Sequence, residues 1–328
     1  MMDGIVRLME HRFPSNGADP VATCSPLWQG PSDPQMRVGG GRVARAMRTP
    51  SGIATVLLER TADRTEIIAR AWGEPAAAQA ALDLSPGLAG ALDDPSRLIA
   101  RHDLVASLVR RLPGLRLTRS GGVLDALVLS IFAQKVTGLE AHRAWSGLLR
   151  RYGDPAPGPL GLFVPPPPEK LARLPYWAFH PFGVERRRAD AIRAAAAVAR
   201  QLEAIRDLPS SDGARRLMSL PNIGVWTAAE TMRLALGDPD AVSVGDYHLP
   251  RVVCTALADE SGGDDARMLE LLEPYRGQRA RVALLIERGG LRGERHGPRM
   301  APRSIAATGT FIASAIVTLF IVRHVIWG

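Results

Sequence analysis

The stretch "SLPNIGVWTAAETMRLALGDPDAVSVGDYHLP", residues 219–250, contains the two features that best predict the fold of this chain. The first is a tight turn, "LPNIG", and the second is a single aspartate, Asp246, in "VGDYHL". Each has a simple structural explanation, because the turn can merely join two helices and the aspartate can merely cap a third. Their occurrence within one short segment indicates that they contribute to a common site.

The segments on both sides of the turn, "DGARRLMSL" and "VWTAAETMRLAL", have helix-forming compositions. We therefore predict a helix-hairpin-helix arrangement. In such a turn the exposed backbone N–H groups and the amino end of the second helix point outward together and can hold a phosphate oxygen. Contacts of this kind bind DNA without reading its bases. The alternative is a turn that serves only helix packing. The predicted hairpin residues are Leu220, Pro221, Asn222, Ile223 and Gly224.

Asp246 precedes the segment "YHLPRVVCTALA", which has the pattern of a helix. Pro250 is tolerated there only within the first helical turn, where the backbone donors lack internal partners. The simplest role of Asp246 is an N-cap. A reactive anion beside a bound ligand is the alternative, and one carboxylate can serve both roles.

Composition favours a globular protein with a polyanionic partner. The chain has 328 residues, 46% of them hydrophobic, which suffices for two or three domains of ordinary size. Its net charge is +8, although almost all basic residues are arginine, as a GC-rich genome alone can produce. Cys24 and Cys254 form no CxxC pair, so the pattern indicates neither a disulfide framework nor a zinc or iron–sulfur site. We expect a cytoplasmic protein.

The order of patterns predicts an α+β protein. Residues 36–72 read as an antiparallel meander, and the chain becomes helical near residue 75. "GGVLDALVLSIFAQKVTGLEAHRAWSGLLRRYG" predicts two helices with a break near "KVTG", and "VERRRADAIRAAAAVARQLEAI" predicts one long helix. Four prolines, residues 165–168, form a connector whose last member can begin a helix.

We predict three parts: a β-rich domain of residues 1–95, a mostly helical domain of residues 96–303, and an apolar tail of residues 304–328. The tail's apolar run begins at Phe311 and is interrupted by Arg323, which makes it shorter than the roughly 20 residues that span a bilayer. A docked helix is the favoured interpretation, an incidental extension the second, and a membrane anchor the third.

At this point the chain resembles a known family. "LPNIGVWTAAE" followed by "VGDYHL" is similar to the helix-hairpin-helix DNA glycosylase superfamily, most closely to its bacterial 3-methyladenine DNA glycosylase II branch. "VLDALVLSIFAQKVTGLEA" resembles the early helix pair of that family, and "FGVERRRADAI" resembles its G-x-x-x-x-K/R-A segment. The resemblance covers roughly residues 20–303.

The resemblance implies roles for particular residues. Asp246 matches the catalytic carboxylate, which faces the sugar of a flipped nucleotide and stabilises positive charge there. Trp226 stands where bifunctional relatives carry a Schiff-base lysine, and it resembles the aromatic wall that stacks on a cationic alkylated base. Tyr247 and Glu230 are further pocket candidates; core packing and a solvated helix face are the alternatives. Gln134 and Lys135 match the wedge that enters the duplex, with a polar helix end as the alternative.

Together these features predict a monofunctional glycosylase of base-excision repair that releases alkylated purines from damaged double-stranded DNA. We expect a monomer, associated with the nucleoid, with no obligate protein partner and no metal; the resemblance allows a monovalent cation at the hairpin. An inactive DNA-binding module and a tail-anchored scaffold are the alternatives. Asn222 departs from the usual hairpin glycine, but asparagine tolerates a left-handed backbone.

Overall fold

The amino-terminal part contains a five-stranded antiparallel sheet. The computed structural model describes residues 7–289, so the predicted tail and the end of the predicted helical domain lie outside the described residues. The strands follow the order β1-β5-β4-β3-β2 across the sheet. They are β1 (Arg7–Pro14), β2 (Met36–Gly39), β3 (Arg42–Thr49), β4 (Gly52–Arg60) and β5 (Glu66–Gly73).

Strand β5 shows why this segment forms a sheet with one covered face. Ile67, Ala69 and Ala71 are fully buried, while the residues between them keep partial solvent access. This alternation is the period of a strand packed on one side. The predicted meander is confirmed for β3 to β5, and β2 is a further strand at its start. Strand β1, which pairs with β5 along its whole length, was not predicted, because "RLMEHRFP" mixes charged and apolar residues.

Thirteen α-helices are present within residues 7–289. A helix predicted near residue 75 is confirmed, with Pro75 in its first turn. The predicted helix pair around "KVTG" is also confirmed. The helices are α1 (Pro20–Cys24), α2 (Pro75–Leu88), α3 (Asp103–Arg111), α4 (Val123–Phe132), α5 (Gly138–Tyr152), α6 (Pro168–Arg173), α7 (Arg186–Ala197), α8 (Ala199–Glu203), α9 (Ser210–Met218), α10 (Val225–Leu236), α11 (Leu249–Ala258), α12 (Asp265–Leu272) and α13 (Arg279–Arg288).

The prediction of one long helix after "FGVE" was wrong. The chain leaves helical geometry at Val198, with φ −114° and ψ 26°, and this break separates α7 from α8. A tertiary contact follows the break. The Glu203 carboxylate at the end of α8 accepts hydrogen bonds from the N–H groups of Val123 and Leu124, at 3.1 and 3.0 Å, and so caps the amino end of α4.

The proline-rich connector is tied to the sheet. Two short strands that precede the four prolines, β6 (Asp154–Pro155) and β7 (Phe163–Val164), pair with each other. Arg48 of β3 donates to Asp154 at 2.6 Å and to the carbonyl oxygen of Pro165 at 2.9 Å. Pro168 begins α6, as predicted.

The described residues contain two large hydrophobic cores and a small third cluster, which includes Leu57 and Val164 and lies between the sheet and the short strand β7. The larger core joins the sheet to α2, α4, α5, α7, α9 and α10, and it includes Leu58, Leu127 and Trp145. The smaller core joins α3 to α11, α12 and α13, and it includes Leu108 and Val253. Helices α10 and α11 therefore belong to different cores, and the loop between them, which carries Asp246, lies at their junction.

Within residues 7–289, no helix has both the length and the apolar character needed to cross a membrane.

Candidate active site

The predicted hairpin joins α9 to α10. Ile223 donates its N–H to the carbonyl oxygen of Leu220 at 3.3 Å, which closes the turn. Asn222 has φ 64°, the left-handed conformation that glycine or asparagine adopts most readily. Ile223 is buried beneath the turn, whereas Pro221, Asn222 and Gly224 are exposed. The turn is thus anchored by one apolar side chain and presents its backbone to solvent.

The amino end of α10 is available to a ligand. Gly224 is the N-cap residue, and no side chain caps this end of the helix. A Cβ atom on Gly224 would meet no protein atom within 4 Å. The protein's own packing therefore does not require glycine at this position. A glycine does allow an external group to approach the first N–H groups of the helix closely.

Two side chains hold the hairpin from neighbouring elements. Gln134, in the turn between α4 and α5, donates to the carbonyl oxygen of Asn222 at 3.1 Å and to Oγ1 of Thr227 at 2.9 Å. Arg187 of α7 donates through Nε to Oδ1 of Asn222 at 2.7 Å. The hairpin is therefore positioned by the α4–α5 turn and by α7.

Asp246 caps the amino end of α11 and also faces α10. Its Oδ1 accepts the N–H groups of His248 and Leu249, each at 2.8 Å. The loop before it turns at Gly245, which has φ 90° and donates its N–H to the Asp265 carboxylate at 3.0 Å. The carboxylate of Asp246 consequently has a fixed orientation, and both roles considered for it, cap and reactive anion, are compatible.

Trp226 contacts the same carboxylate. Its Nε1 donates to Oδ2 of Asp246 at 3.0 Å, so one oxygen is held by the backbone and the other by the indole. Trp226 is the second residue of α10, directly after the uncapped end of that helix. The uncapped end of α10 and the carboxylate are thus joined through a single residue.

A cavity of about 130 Å³ opens beside these two residues. Helix α10 forms one wall, the loop before α11 a second, and α13 a third. The cavity therefore lies at the junction of the two cores. It is smaller than the pockets that hold drug-sized ligands, so its size suits one flat base rather than a longer molecule. Its lining residues are Trp226, Glu230, Arg233, Ala241, Val242, Ser243, Asp246, Leu249, Ala280, Ala283, Leu284 and Glu287.

Several solved structures share this arrangement of elements. The 3-methyladenine DNA glycosylase of Archaeoglobus fulgidus superimposes with a TM-score of 0.71 at 18% identity, over 84% of this chain and 96% of that one. The 8-oxoguanine glycosylase/lyase of Clostridium acetobutylicum gives 0.59 at 12% identity, over 77% of this chain and 97% of that one. In complex with double-stranded DNA, it gives 0.58 at 13% identity, over 74% and 86%. No protein-family model and no curated protein matches the sequence.

The chain has the fold of the helix-hairpin-helix DNA glycosylases. The fold class predicted from the sequence, α+β with a β-rich amino-terminal part, is confirmed.

Within this glycosylase fold, Glu230 is part of the cavity wall, but its carboxylate is already engaged. Oε2 forms an ion pair with Arg233 at 2.5 Å, and Oε1 accepts the hydroxyl of Ser243. Burial opposes the charge of Arg233, yet the Glu230 carboxylate outweighs this effect and raises the arginine pKa. The two charges therefore largely cancel inside the cavity.

The other predicted site residues lie around the cavity rather than in it. Tyr247 is 64% exposed, makes an edge contact with His248 and does not line the cavity. Gln134 contacts the hairpin, so its entry into a duplex would require both of its hydrogen bonds to break. Lys135 is exposed, with φ 54°, at the tip of the same turn. Their roles toward DNA stay predictions.

Three polar or charged residues of the cavity, Arg233, Ser243 and Glu287, were not predicted from the sequence. Arg233 follows Glu230 by three positions on a helix, and that spacing is a signal for an ion pair. Ser243 lies three residues before Asp246 in the same loop, but no motif marks it as a site residue. Glu287 reaches the cavity only through tertiary structure, from α13.

The hairpin's oxygen atoms are suitable ligands for the monovalent cation that the resemblance allows. The carbonyl oxygens of Leu220 and Asn222 each accept one hydrogen bond and keep a second lone pair. Carbonyl oxygens of this kind coordinate monovalent cations. The cation stays a prediction.

Proposed function

We propose that the chain is a monofunctional DNA glycosylase that hydrolyses the N-glycosidic bond of alkylated purines, such as 3-methyladenine, in damaged double-stranded DNA. The observation that carries this proposal is the position of Asp246. Its carboxylate borders the cavity and is joined through Trp226 to the exposed hairpin. A backbone phosphate bound at the hairpin would bring a neighbouring flipped sugar next to the carboxylate.

The expected chemistry requires one well-oriented anion. Breaking the bond between C1′ and the base develops positive charge on the sugar, and a fixed carboxylate nearby stabilises that charge. Alkylation at a ring nitrogen makes the purine a good leaving group, because it departs with the bonding electrons as a neutral base. Water then adds to C1′ and loses a proton, which Asp246 or solvent accepts.

The absence of a suitable amine supports water as the nucleophile. The sequence contains two lysines, Lys135 and Lys170. Lys170 donates to the carbonyl oxygen of Tyr152 at 2.7 Å, and Lys135 lies in the α4–α5 turn. Trp226 occupies the position next to Asp246, where a lyase of this fold would need its amine. We further propose that the enzyme acts in the cytoplasm, as a nucleoid-associated monomer without an obligate protein partner.

A base-release assay on methylated duplex DNA tests the function. We expect free alkylated base and an intact abasic strand that breaks only on alkali treatment. Asp246→Asn should lower the rate of release by roughly 100- to 1,000-fold, the range found for removal of one electrostatic transition-state contact. DNA binding and the thermal midpoint should persist, because asparagine caps helices as well as aspartate does.

Asp63→Asn is the matched control, since Asp63 lies in the exposed turn between β4 and β5 and should leave release unchanged. Full activity in Asp246→Asn would reduce Asp246 to a helix cap. Borohydride trapping of an enzyme–DNA adduct would contradict the water mechanism.

A further inference from the structure

The cavity wall contributed by α13 carries a third carboxylate, Glu287, besides those of Asp246 and Glu230. Glu287 lines the cavity together with Trp226 and Asp246. Within residues 7–289 the Glu287 carboxylate makes no hydrogen bond and no ion pair at 4.0 Å or less, in contrast to the Glu230 carboxylate. A carboxylate without a partner at the wall of a small cavity is suited to a ligand that brings its own positive charge.

The charges around the cavity leave a net negative site. Glu230 and Arg233 form an ion pair and cancel, which leaves Asp246 and Glu287 without a matching cation on α10 or on the loop before α11. Arg288, the neighbour of Glu287 on α13, is the remaining charged group close to it. The negative potential of the cavity adds little to the binding of a neutral base, whereas it attracts a base with a fixed positive charge.

The aromatic residue beside the cavity is consistent with the same ligand. Trp226 lines the cavity together with Asp246 and Glu287, and its Nε1 donates to Asp246. An indole face attracts cations through its π electrons, and a carboxylate on another wall adds a charge-assisted contact. The indole and the carboxylate therefore both favour a positively charged base, whatever the shape of the individual lesion.

We propose that Glu287 is the specificity-determining anion of the base site and that it selects bases carrying a fixed positive charge over neutral lesions. This inference rests on the proposed glycosylase function. The group that the Glu287 carboxylate would contact is the alkylated, cationic ring of a flipped purine. Asp246 faces the sugar in this arrangement, and Glu287 faces the base.

The protonation of Glu287 should make this selection depend on pH. Glu287 keeps solvent access, but loss of hydration around its carboxyl raises its pKa to about 7. Arg233 and Arg288 lower this pKa, whereas Glu230 and Asp246 raise it further. The carboxyl is therefore neutral below about pH 7 and anionic above it, so the preference for a cationic base should increase between pH 6 and pH 8.

The test compares release of 7-methylguanine, which is cationic in the duplex, with release of neutral hypoxanthine by the full-length protein. Glu287→Gln keeps shape and removes charge. We expect it to lower kcat/KM for 7-methylguanine by roughly tenfold, to leave hypoxanthine release unchanged, and to flatten the pH profile between 6 and 8. Glu270→Gln, an exposed glutamate on α12, is the matched control and should change none of these quantities.

The outcomes separate the two proposals. Three results would overturn the role of Glu287: equal loss of both activities, an unchanged 7-methylguanine rate and pH profile, or selective loss of hypoxanthine release. Selective loss of hypoxanthine release would instead assign Glu287 as a proton donor to neutral bases. Failure of the wild-type protein to release any base would overturn the glycosylase function itself. A thermal melt of Glu287→Gln shows whether the variant is folded.

Discussion

At the scale of single residues, the contact between Trp226 and Asp246 connects the proposed phosphate site at the start of α10 to the proposed catalytic carboxylate. The indole N–H holds Oδ2 of Asp246, and the backbone of α11 holds Oδ1. Three donors on one carboxylate leave it little freedom to rotate, so its charge stays directed toward the cavity. Trp226 therefore has an orienting role as well as the aromatic role predicted for it.

Trp226→Phe tests this orienting role. Phenylalanine keeps an aromatic face but removes the N–H, so we expect kcat for base release to fall roughly tenfold with little change in DNA affinity, given the strength of hydrogen bonds to charged groups. Trp72→Phe in β5, at a distance from the cavity, is the matched control. An unchanged kcat would show that the backbone of α11 alone orients Asp246.

At the scale of elements, the hairpin is a rigid loop held by α4–α5 and by α7. Asn222 is the shared contact, since its carbonyl oxygen binds Gln134 and its side chain binds Arg187. Asparagine here satisfies the left-handed backbone and adds a side-chain acceptor, which glycine would lack. The hairpin is therefore positioned relative to the turn that carries Lys135, the other predicted contact with the duplex.

Gly224→Asp tests the hairpin as a phosphate site. The change adds volume and negative charge where only solvent is present, so the fold should be unaffected while duplex affinity falls at least tenfold at low salt. Gly262→Asp is the matched control, because Gly262 is also exposed with open space around it, in the loop after α11. Equal affinities of both variants, measured by fluorescence anisotropy at several salt concentrations, would argue against phosphate binding at the hairpin.

At the scale of the whole molecule, one buried ion pair bridges the two cores. Arg281 of α13 contacts both carboxylate oxygens of Asp93, at 2.6 and 2.7 Å, and both side chains are at least 90% buried. Asp93 also accepts the N–H of Leu117 at 3.0 Å. Because α13 supplies the cavity wall that carries Glu287, this pair helps to position that wall.

Arg281→Met should lower the free energy of unfolding by about 3 kcal/mol, since it leaves a buried carboxylate without its counter-charge. Arg276→Met, which removes an exposed pair with Glu273, should cost less than about 1 kcal/mol. Urea unfolding of both variants at neutral pH measures the difference. Similar values for the two would mean that the buried pair contributes no more than a surface pair.

Local chemistry was sufficient to predict the parts of this protein that depend on neighbours in sequence. The strands β3 to β5, the helix pair around "KVTG", the hairpin and the position of Asp246 before α11 all follow from periodicity, turn residues and capping rules. The break at Val198 and the edge strand β1 were missed, because contacts distant in sequence determine both.

The cavity itself was decided by tertiary structure. The sequence places Trp226, Glu230 and Asp246 within one segment, and its helical spacing also pairs Glu230 with Arg233. Only the packing of α13 against α11 and α3 brings Glu287 to the cavity beside α10, where its carboxylate has no hydrogen-bond or ion-pair partner among the described residues. No local pattern reports that proximity, because residues on separate helices meet only when both cores have formed.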